Sequence, residues 1–218
     1  MAAAAFFDLD RTLLRRFSAL ALAPAFRRHG MLSRRQVARA ACLQLVYVTR
    51  GASHEAVRRA AEDGLLVLRG RTPDQLRELV AEALEPVLRP LVYPEALELV
   101  ARHRARGEAV FIVSATLQEI VQGIADDLGF DGALGTICRV EDGCYTGIAE
   151  RPLHAAAKAE AIRSLGFDLA DSTAYSDSHT DVPFLEAVGN PVAVNPDRGL
   201  RRVAVERGWP VLEFRGAR

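Results

Sequence analysis

Most of the side chains that can do chemistry in this chain follow short apolar segments, and one lies at the start of a predicted helix. They are carboxylates, hydroxyls and one ammonium group: Asp8, Asp10, Thr12, Ser114, Lys158, Asp177 and Asp181. Clustered carboxylates repel one another unless a hard cation lies among them, and magnesium prefers oxygen ligands. Hydroxyl and ammonium donors suit a phosphoryl group, the usual partner of magnesium in such sites. If the fold brings these residues together, their types predict a site for Mg²⁺ and a phosphoryl group.

Lys158 is the only lysine among the 28 basic residues of the chain. All the others are arginine, so this sequence uses arginine wherever any positive charge serves. A lysine kept against that bias indicates a position that needs a compact ammonium, which approaches a phosphate as a point charge. The alternative is a surface lysine without a special role.

Two blocks of different periodicity must position these residues. A continuous apolar run near the N-terminus predicts a strand over 3–9. From 14 to 88, apolar residues at three- and four-residue spacing predict helices at roughly 16–29, 33–50, 53–69 and 73–87. After Pro90, predicted helices alternate with strands predicted at Ala109–Val113, Ser172–Tyr175 and Pro191–Val194, and an apolar segment lies near Ala133–Cys138.

The alternation predicts an α/β protein with a Rossmann-like parallel sheet flanked by helices. Because the first strand precedes the helical block and the others follow it, residues 14–88 are predicted to be an inserted helical cap. The catalytic core then comprises residues 1–13 and 89–218. An Asp-Gly turn between alternating flanks predicts a β-hairpin at Arg139–Ile148. Sites in such sheets lie at the carboxyl ends of the strands.

Composition excludes several classes of protein. The formal net charge of zero over 218 residues favours neither nucleic acid nor an anionic membrane as a partner. Three cysteines without CxxC spacing disfavour a disulfide framework or a zinc site, and they fit a cytoplasmic location. The apolar N-terminus lacks the basic region of a signal peptide, and no run of about 18 apolar residues predicts a membrane span. Monomer and homodimer both stay open.

Four segments, in order, resemble the motifs of the haloacid dehalogenase superfamily. FFDLDRTLL is similar to its first motif, FIVSAT to its second, HAAAKAEAI to its third and YSDSHTDVPFLEAVGNPVAVNPD to its acidic fourth. The position of the helical insert and the hairpin RVEDGCYTG resemble subfamily IB, the phosphoserine-phosphatase-like branch. The resemblance covers the predicted core from end to end.

The resemblance implies a magnesium-dependent phosphatase with an aspartyl-phosphate intermediate. Asp8 would be the nucleophile and a metal ligand, and Asp10 the general acid and base, with its backbone carbonyl on the metal. Asp177 would bind magnesium with Asp181 beside it. The remaining residues would steady the loop or hold phosphate oxygens, and they are Thr12, Ser114, Ala115 and Lys158.

The sequence departs from the phosphoserine enzymes in two places. Positions 14–20 carry no acid to meet a substrate ammonium, and Ala115 and Thr116 stand where those enzymes tend to have two glycines. The prediction is therefore a small phosphorylated metabolite, with phosphoserine or a lysophospholipid-type phosphate as alternatives. A phosphotransferase and a non-catalytic phospho-binding protein are alternatives from other classes, whereas the order of the acidic residues argues against a receiver-type signalling protein. Arginines of the cap either bind a second anionic group or form a solvated face: Arg15, Arg16, Arg27, Arg28, Arg34, Arg35 and Arg39.

Overall fold

A seven-stranded sheet forms the centre of the computed structural model, which describes residues 1–32 and 64–216. The strand order is β4-β3-β2-β1-β5-β6-β7, and every neighbouring pair is parallel except β3 and β4. The strands are β1 (Ala4–Phe7), β2 (Ala109–Leu117), β3 (Gly132–Glu141), β4 (Cys144–Arg151), β5 (Thr173–Ser176), β6 (Asn190–Val194) and β7 (Val211–Leu212). The predicted fold class, a parallel sheet flanked by helices with an added hairpin strand, is confirmed.

Helices cover both faces of the sheet. In chain order the described helices are α1 (Ser18–Arg28), α2 (Pro73–Ala83), α3 (Pro94–Ala105), α4 (Gln118–Leu128), α5 (Ala156–Arg163), α6 (Val182–Leu185) and α7 (Arg198–Arg207). Buried residues of α1 to α4 pack in one hydrophobic cluster, and those of α5 to α7 pack in another. None of these helices is long and apolar enough to cross a membrane.

Strand β1 lies at the middle of the sheet because all four of its residues are apolar and buried. Ala5 and Phe7 contribute to the cluster with α1 to α4, while Ala4 and Phe6 contribute to the opposite cluster. This alternation is the period of two that a pleated strand imposes on its side chains. The residue that follows β1 is therefore held between two packed layers.

Strand β2 extends beyond its predicted end at Val113 to Leu117, and α4 begins at Gln118. Its register with β3 shifts between Val113 and Leu117, which marks a bulge in the parallel pair. Bulges redirect side chains and are common beside functional sites. The prediction that Ser114 follows the strand is thus wrong: Ser114 lies inside β2, in this irregular stretch.

Other element boundaries also differ from prediction. The helix predicted over 73–87 is α-helical only to Ala83 and continues as a π-turn at Leu84–Leu88. Helix α7 and strand β7 have no predicted counterpart. The predicted helix at 33–50, and most of the one at 53–69, lie outside the described residues, so the cap boundaries 14–88 stay a prediction.

The predicted hairpin is present as β3 and β4. Its turn residues Asp142 and Gly143 have φ values of 49° and 78°, and glycine adopts that left-handed conformation without steric cost. The hairpin also meets the chain just before α2. There, Gly70 donates its backbone N–H to the carbonyl of Tyr145 at 2.9 Å, and Tyr145 donates to the carbonyl of Arg71 at 2.8 Å.

Candidate active site

Asp8 lies at the carboxyl end of β1, the central strand. Its backbone N–H donates to the carbonyl of Tyr175 in β5 at 2.9 Å, so the neighbouring strand fixes the start of the loop. The residue is 6% exposed. Since β1, β2 and β5 are parallel, residues that extend beyond their carboxyl ends share one edge of the sheet. Asp177, directly after β5, lies at the same edge.

Lys158 lies between two carboxylates of this edge. Its Nζ donates to Asp8 Oδ1 at 2.6 Å and to Asp181 Oδ2 at 2.7 Å, and its side chain is only 3% exposed. The Ser176 hydroxyl also donates to Asp181 Oδ2 at 2.7 Å. Burial lowers the pKa of Lys158, but attraction to Asp181 and Asp8 outweighs it and leaves the pKa raised. The ammonium therefore stays charged and fixes the orientation of Asp8.

Opposing effects of burial and of neighbouring charges set the pKa of Asp8. Burial raises its pKa, and the charges of Asp181 and Asp10 raise it further, while attraction and a hydrogen bond from Lys158 lower it. The net effect raises the pKa of Asp8 to about 7. A carboxylate held this far from water gains from any additional cation nearby.

Asp10 is held by groups from two different elements. Ser18, the first residue of α1, donates its backbone N–H to Asp10 Oδ1 at 2.7 Å. The Thr116 hydroxyl donates to Asp10 Oδ2 at 3.4 Å, and it lies 3.2 Å from the Ser18 hydroxyl. Burial raises the pKa of Asp10, and the hydrogen bonds from Ser18 oppose that shift.

Asp177 is buried next to a cationic side chain. It is 5% exposed, and Arg11 Nη1 lies 3.2 Å from its Oδ2. Burial raises the pKa of Asp177 well above its usual value, the charge of Asp8 raises it further, and Arg11 opposes both. Arg11 has a positive φ of 63°, so the loop turns there and directs this residue back to the site.

The oxygen-rich set fits a magnesium ion on its chemistry. Asp8 and Asp177 are both buried, and burial raises both pKa values, which is the environment in which a divalent cation stabilises carboxylates. Within residues 1–32 and 64–216, however, no three His, Cys, Asp or Glu side chains converge as a ready-made metal site. Lys158 and Arg11 contact the carboxylates that were predicted to share the ion.

Of the remaining predicted residues, Ser114 and Ala115 lie in the irregular stretch of β2, and Thr12 lies in the loop that follows β1. Ser114 is 2% exposed, and its Oγ accepts the backbone N–H of Thr116 at 3.1 Å. Ala115 is exposed, and its carbonyl accepts the Thr136 hydroxyl at 2.8 Å. Thr12 Oγ1 is buried, and no hydrogen-bond partner for it is present in the described part of the chain.

Four residues of this site were not predicted: Arg11, Ser18, Thr116 and Ser176. Arg11, Thr116 and Ser176 are adjacent to predicted residues, so proximity in sequence was their only signal. Ser18 and Thr116 meet although they are separated by 98 positions. No spacing rule connects them, and only the folded chain shows that both contact Asp10.

The sequence of this chain matches the haloacid dehalogenase-like hydrolase family over residues 5–186. It is 44% identical over 215 residues to a protein of Mycobacterium tuberculosis named a probable phosphatase, covering 97% of this chain and 75% of that protein. It is 36% identical over 224 residues to a protein of the same species named a phosphoserine phosphatase, covering 100% of this chain and 73% of that protein.

Solved structures resemble the fold over nearly the whole chain. A Bordetella pertussis protein described as having unknown function aligns with a TM-score of 0.82 and 33% identity, covering 97% of this chain and 98% of that one. A substrate-bound phosphoserine phosphatase aligns with a TM-score of 0.71, covering 99% and 95%. At 18% identity the second likeness shows the fold alone.

Fold, family match and relatives together define a phosphatase. The chain belongs to the haloacid dehalogenase-like hydrolase family, as its four motifs predicted, and phosphoserine phosphatases are among its structural neighbours.

Proposed function

We propose that the protein is a magnesium-dependent phosphomonoester hydrolase that acts through an aspartyl-phosphate at Asp8 on a small phosphorylated metabolite. The observation that carries the proposal is the 2.6 Å contact between Lys158 Nζ and Asp8 Oδ1 at the end of the central strand. A buried carboxylate that is oriented by a fixed cation can act as a nucleophile, and the same cation can attract the phosphoryl oxygens.

The reaction divides into two displacements. An Asp8 carboxylate oxygen bonds to phosphorus while the bond from phosphorus to the leaving oxygen breaks, and Asp10 gives its proton to that oxygen. Asp10 then takes a proton from a water molecule that attacks the phosphorus, which breaks the Asp8–phosphorus bond and releases phosphate. General acid and base catalysis of this kind contributes about 10²–10⁴-fold.

Residues around Asp8 would bind the phosphoryl group. Ser114 and Lys158 would hold its oxygens, together with the Ala115 backbone, and Thr12 would steady the loop. When bound, Mg²⁺ would offset the negative charge of the transferring phosphoryl group. We assign Asp8, Asp177 and the Asp10 backbone carbonyl as its ligands. Asp181, which contacts Lys158 and Ser176, lies beside them.

Hydrolysis of phosphoserine is the alternative with a specific observation in its favour, because one relative carries that name. Against it, the segment from Leu14 to Leu20 contains no acid, and at Ser18 it supplies a backbone N–H to Asp10 instead. We therefore propose a small phosphorylated metabolite without fixing its leaving group. The proposed location is the cytoplasm.

An Asp8→Asn variant tests the mechanism. Purified wild-type protein is expected to release phosphate from p-nitrophenyl phosphate with Mg²⁺ and to lose that activity with EDTA. Asp8→Asn is expected to reduce kcat by at least about 10³-fold because an amide is a poor nucleophile. A matched control is Asp171→Asn, an exposed carboxylate just before β5 at the opposite edge of the sheet.

Three outcomes separate the alternatives. Full activity of Asp8→Asn would contradict the aspartyl-phosphate, and no phosphate release by the wild type from any phosphomonoester tested would contradict the hydrolase. Phosphate that appears on added glycerol in place of water would indicate a phosphotransferase.

A further inference from the structure

Both oxygens of the Asp10 carboxylate accept hydrogen bonds, and the donors come from different parts of the chain. Oδ1 accepts the backbone N–H of Ser18, at the N-terminus of α1, and Oδ2 faces the hydroxyl of Thr116, from the bulge of β2. The Ser18 hydroxyl, which is completely buried, lies 3.2 Å from the Thr116 hydroxyl and completes the link between the two elements.

The two contacts differ in what they allow Asp10 to do. A backbone N–H only donates, so it keeps Oδ1 unprotonated. A threonine hydroxyl both donates and accepts. It can therefore donate to Oδ2 when Asp10 is a carboxylate, and accept from Oδ2 when Asp10 carries a proton. When Asp10 is protonated, Oδ2 is therefore the oxygen that carries the proton.

We propose that Thr116 is a positioning residue for Asp10: its hydroxyl accepts a hydrogen bond from protonated Oδ2, and it donates to Oδ2 once that proton has moved to the leaving oxygen. The inference rests on the proposed function, because it assigns Asp10 as general acid and base. A residue that acts first as acid and then as base needs a partner that serves both states, and a hydroxyl does. The contact of 3.4 Å is long, but catalytic hydrogen bonds commonly tighten only when substrate is bound.

The role predicts a dependence on the leaving group. A poor leaving group needs a proton as its bond to phosphorus breaks, whereas a nitrophenolate is stabilised by its nitro group and departs with little help. Loss of the Asp10 positioning should therefore affect phenyl phosphate more than p-nitrophenyl phosphate. These two substrates differ only in the nitro group. The parameter to compare is kcat/KM, because it reports the steps up to departure of the first product.

The experiment measures kcat and KM of the full chain with Mg²⁺ for both substrates. Thr116→Val keeps the shape of the side chain and removes the hydroxyl. It is expected to lower kcat/KM for phenyl phosphate about tenfold and for p-nitrophenyl phosphate by less than about threefold, as part of the acid contribution is lost. Thr116→Ser, which restores the hydroxyl, is expected to recover the wild-type ratio. Thr146→Val, in β4, removes a hydroxyl that donates to the carbonyl of Arg139, and it should leave the ratio unchanged.

Three results would overturn the inference about Thr116. Equal losses for both substrates, whether in KM or in kcat, would overturn the inference, since they would indicate a substrate contact or a packing defect. An unchanged Thr116→Val enzyme would also overturn it, and so would failure of Thr116→Ser to recover the ratio. If Thr116→Val does not fold, Thr116→Ala at this partly exposed position is compared instead. Failure of the wild type to hydrolyse either substrate would contradict the proposed function itself.

Discussion

At the scale of single residues, the site depends on how one cation is shared between two buried acids. Lys158 is 3% exposed and contacts both Asp8 and Asp181, so the space between these carboxylates admits a compact group. An ammonium is a point charge with three donors, whereas a guanidinium is a planar fork of larger size. The chain uses arginine for every other basic residue, so the geometry accounts for this single exception.

Replacement of Lys158 by arginine tests whether charge alone is sufficient. Lys158→Arg keeps the positive charge but does not fit the contacts of 2.6 and 2.7 Å to the two carboxylates. We expect kcat/KM for p-nitrophenyl phosphate to fall by about 10²-fold or more, as for loss of a transition-state donor. Arg163→Lys, an exposed substitution on the same helix, serves as the control. Activity of Lys158→Arg within about threefold of wild type would show that any cation is sufficient.

The catalytic residues were predictable from sequence where they follow a recognisable strand or where, like Lys158, they depart from the composition of the chain. Asp8 follows an uninterrupted apolar run, and Asp177 follows another. Thr116 has no such signal, because its contact with Asp10 joins residues 106 positions apart and depends on an irregularity in β2. The catalytic types could thus be predicted, while the groups that orient them required the folded chain.

At the scale of elements, prediction succeeded where burial is continuous. Strands β1 and β5 are entirely buried, and an apolar run is a strong signal for such strands. Helix α7 has an N-cap in Asp197, which accepts the Leu200 N–H at 2.8 Å, yet only two of its residues are buried. Half of its residues are charged, so its sequence carries little signal for a helix packed on the sheet. Strand β7 has two residues and exists only through its pairing with β6.

Helix α3 is joined to β5 by a buried histidine, and this contact predicts a pH dependence of stability. His103 is 3% exposed, with Tyr175 Oη 2.7 Å from its Nε2 and Glu108 Oε2 2.5 Å from its Nδ1. The other charged neighbour is Arg106, 2.7 Å from the same Nδ1. Burial lowers the pKa of His103 below 6.5, more than attraction to Glu108 raises it.

The sign of the effect follows from the lowered pKa. Below pH 6.5 the His103 side chain binds a proton more readily in the unfolded chain than in the folded chain. The stability contributed by the neutral, buried His103 is therefore present above pH 6.5 and falls as pH decreases through the folded-state pKa. We expect His103→Gln to be less stable than wild type by about 1–2 kcal/mol at neutral pH. The difference should narrow towards about pH 5.

Denaturant unfolding at several pH values measures this difference. His154→Gln changes an exposed histidine and controls for general effects of the substitution. If the free energies of unfolding of wild type and His103→Gln differ by the same amount at every pH measured, the lowered pKa of His103 would be contradicted.

At the scale of the whole molecule, the proposed metal site lies between the two halves of the hydrophobic core. Asp8 extends β1, whose side chains enter both clusters, and Asp177 extends β5. The Asp177 carbonyl also accepts the N–H of Asp197 at 2.8 Å, which ties it to the start of α7. A ligand shared by Asp8 and Asp177 therefore joins elements whose separation requires the sheet to unfold. Binding there should raise the stability of the entire domain.

Magnesium is accordingly expected to raise the melting temperature, and Asp177→Asn to abolish that rise. An ion that binds only the folded chain contributes about 2.7 kcal/mol at a hundredfold excess over Kd, which corresponds to a rise of about 5–10 °C for a protein of this size. Thermal unfolding with Mg²⁺ and with EDTA measures it without reference to catalysis. Asp171→Asn changes an exposed carboxylate just before β5, at the opposite edge of the sheet, and should keep the full rise in melting temperature. An equal rise in Asp177→Asn would place the ion elsewhere. No rise in wild type at saturating Mg²⁺ would contradict the metal site, because Asp8 and Asp177 are its only proposed side-chain ligands.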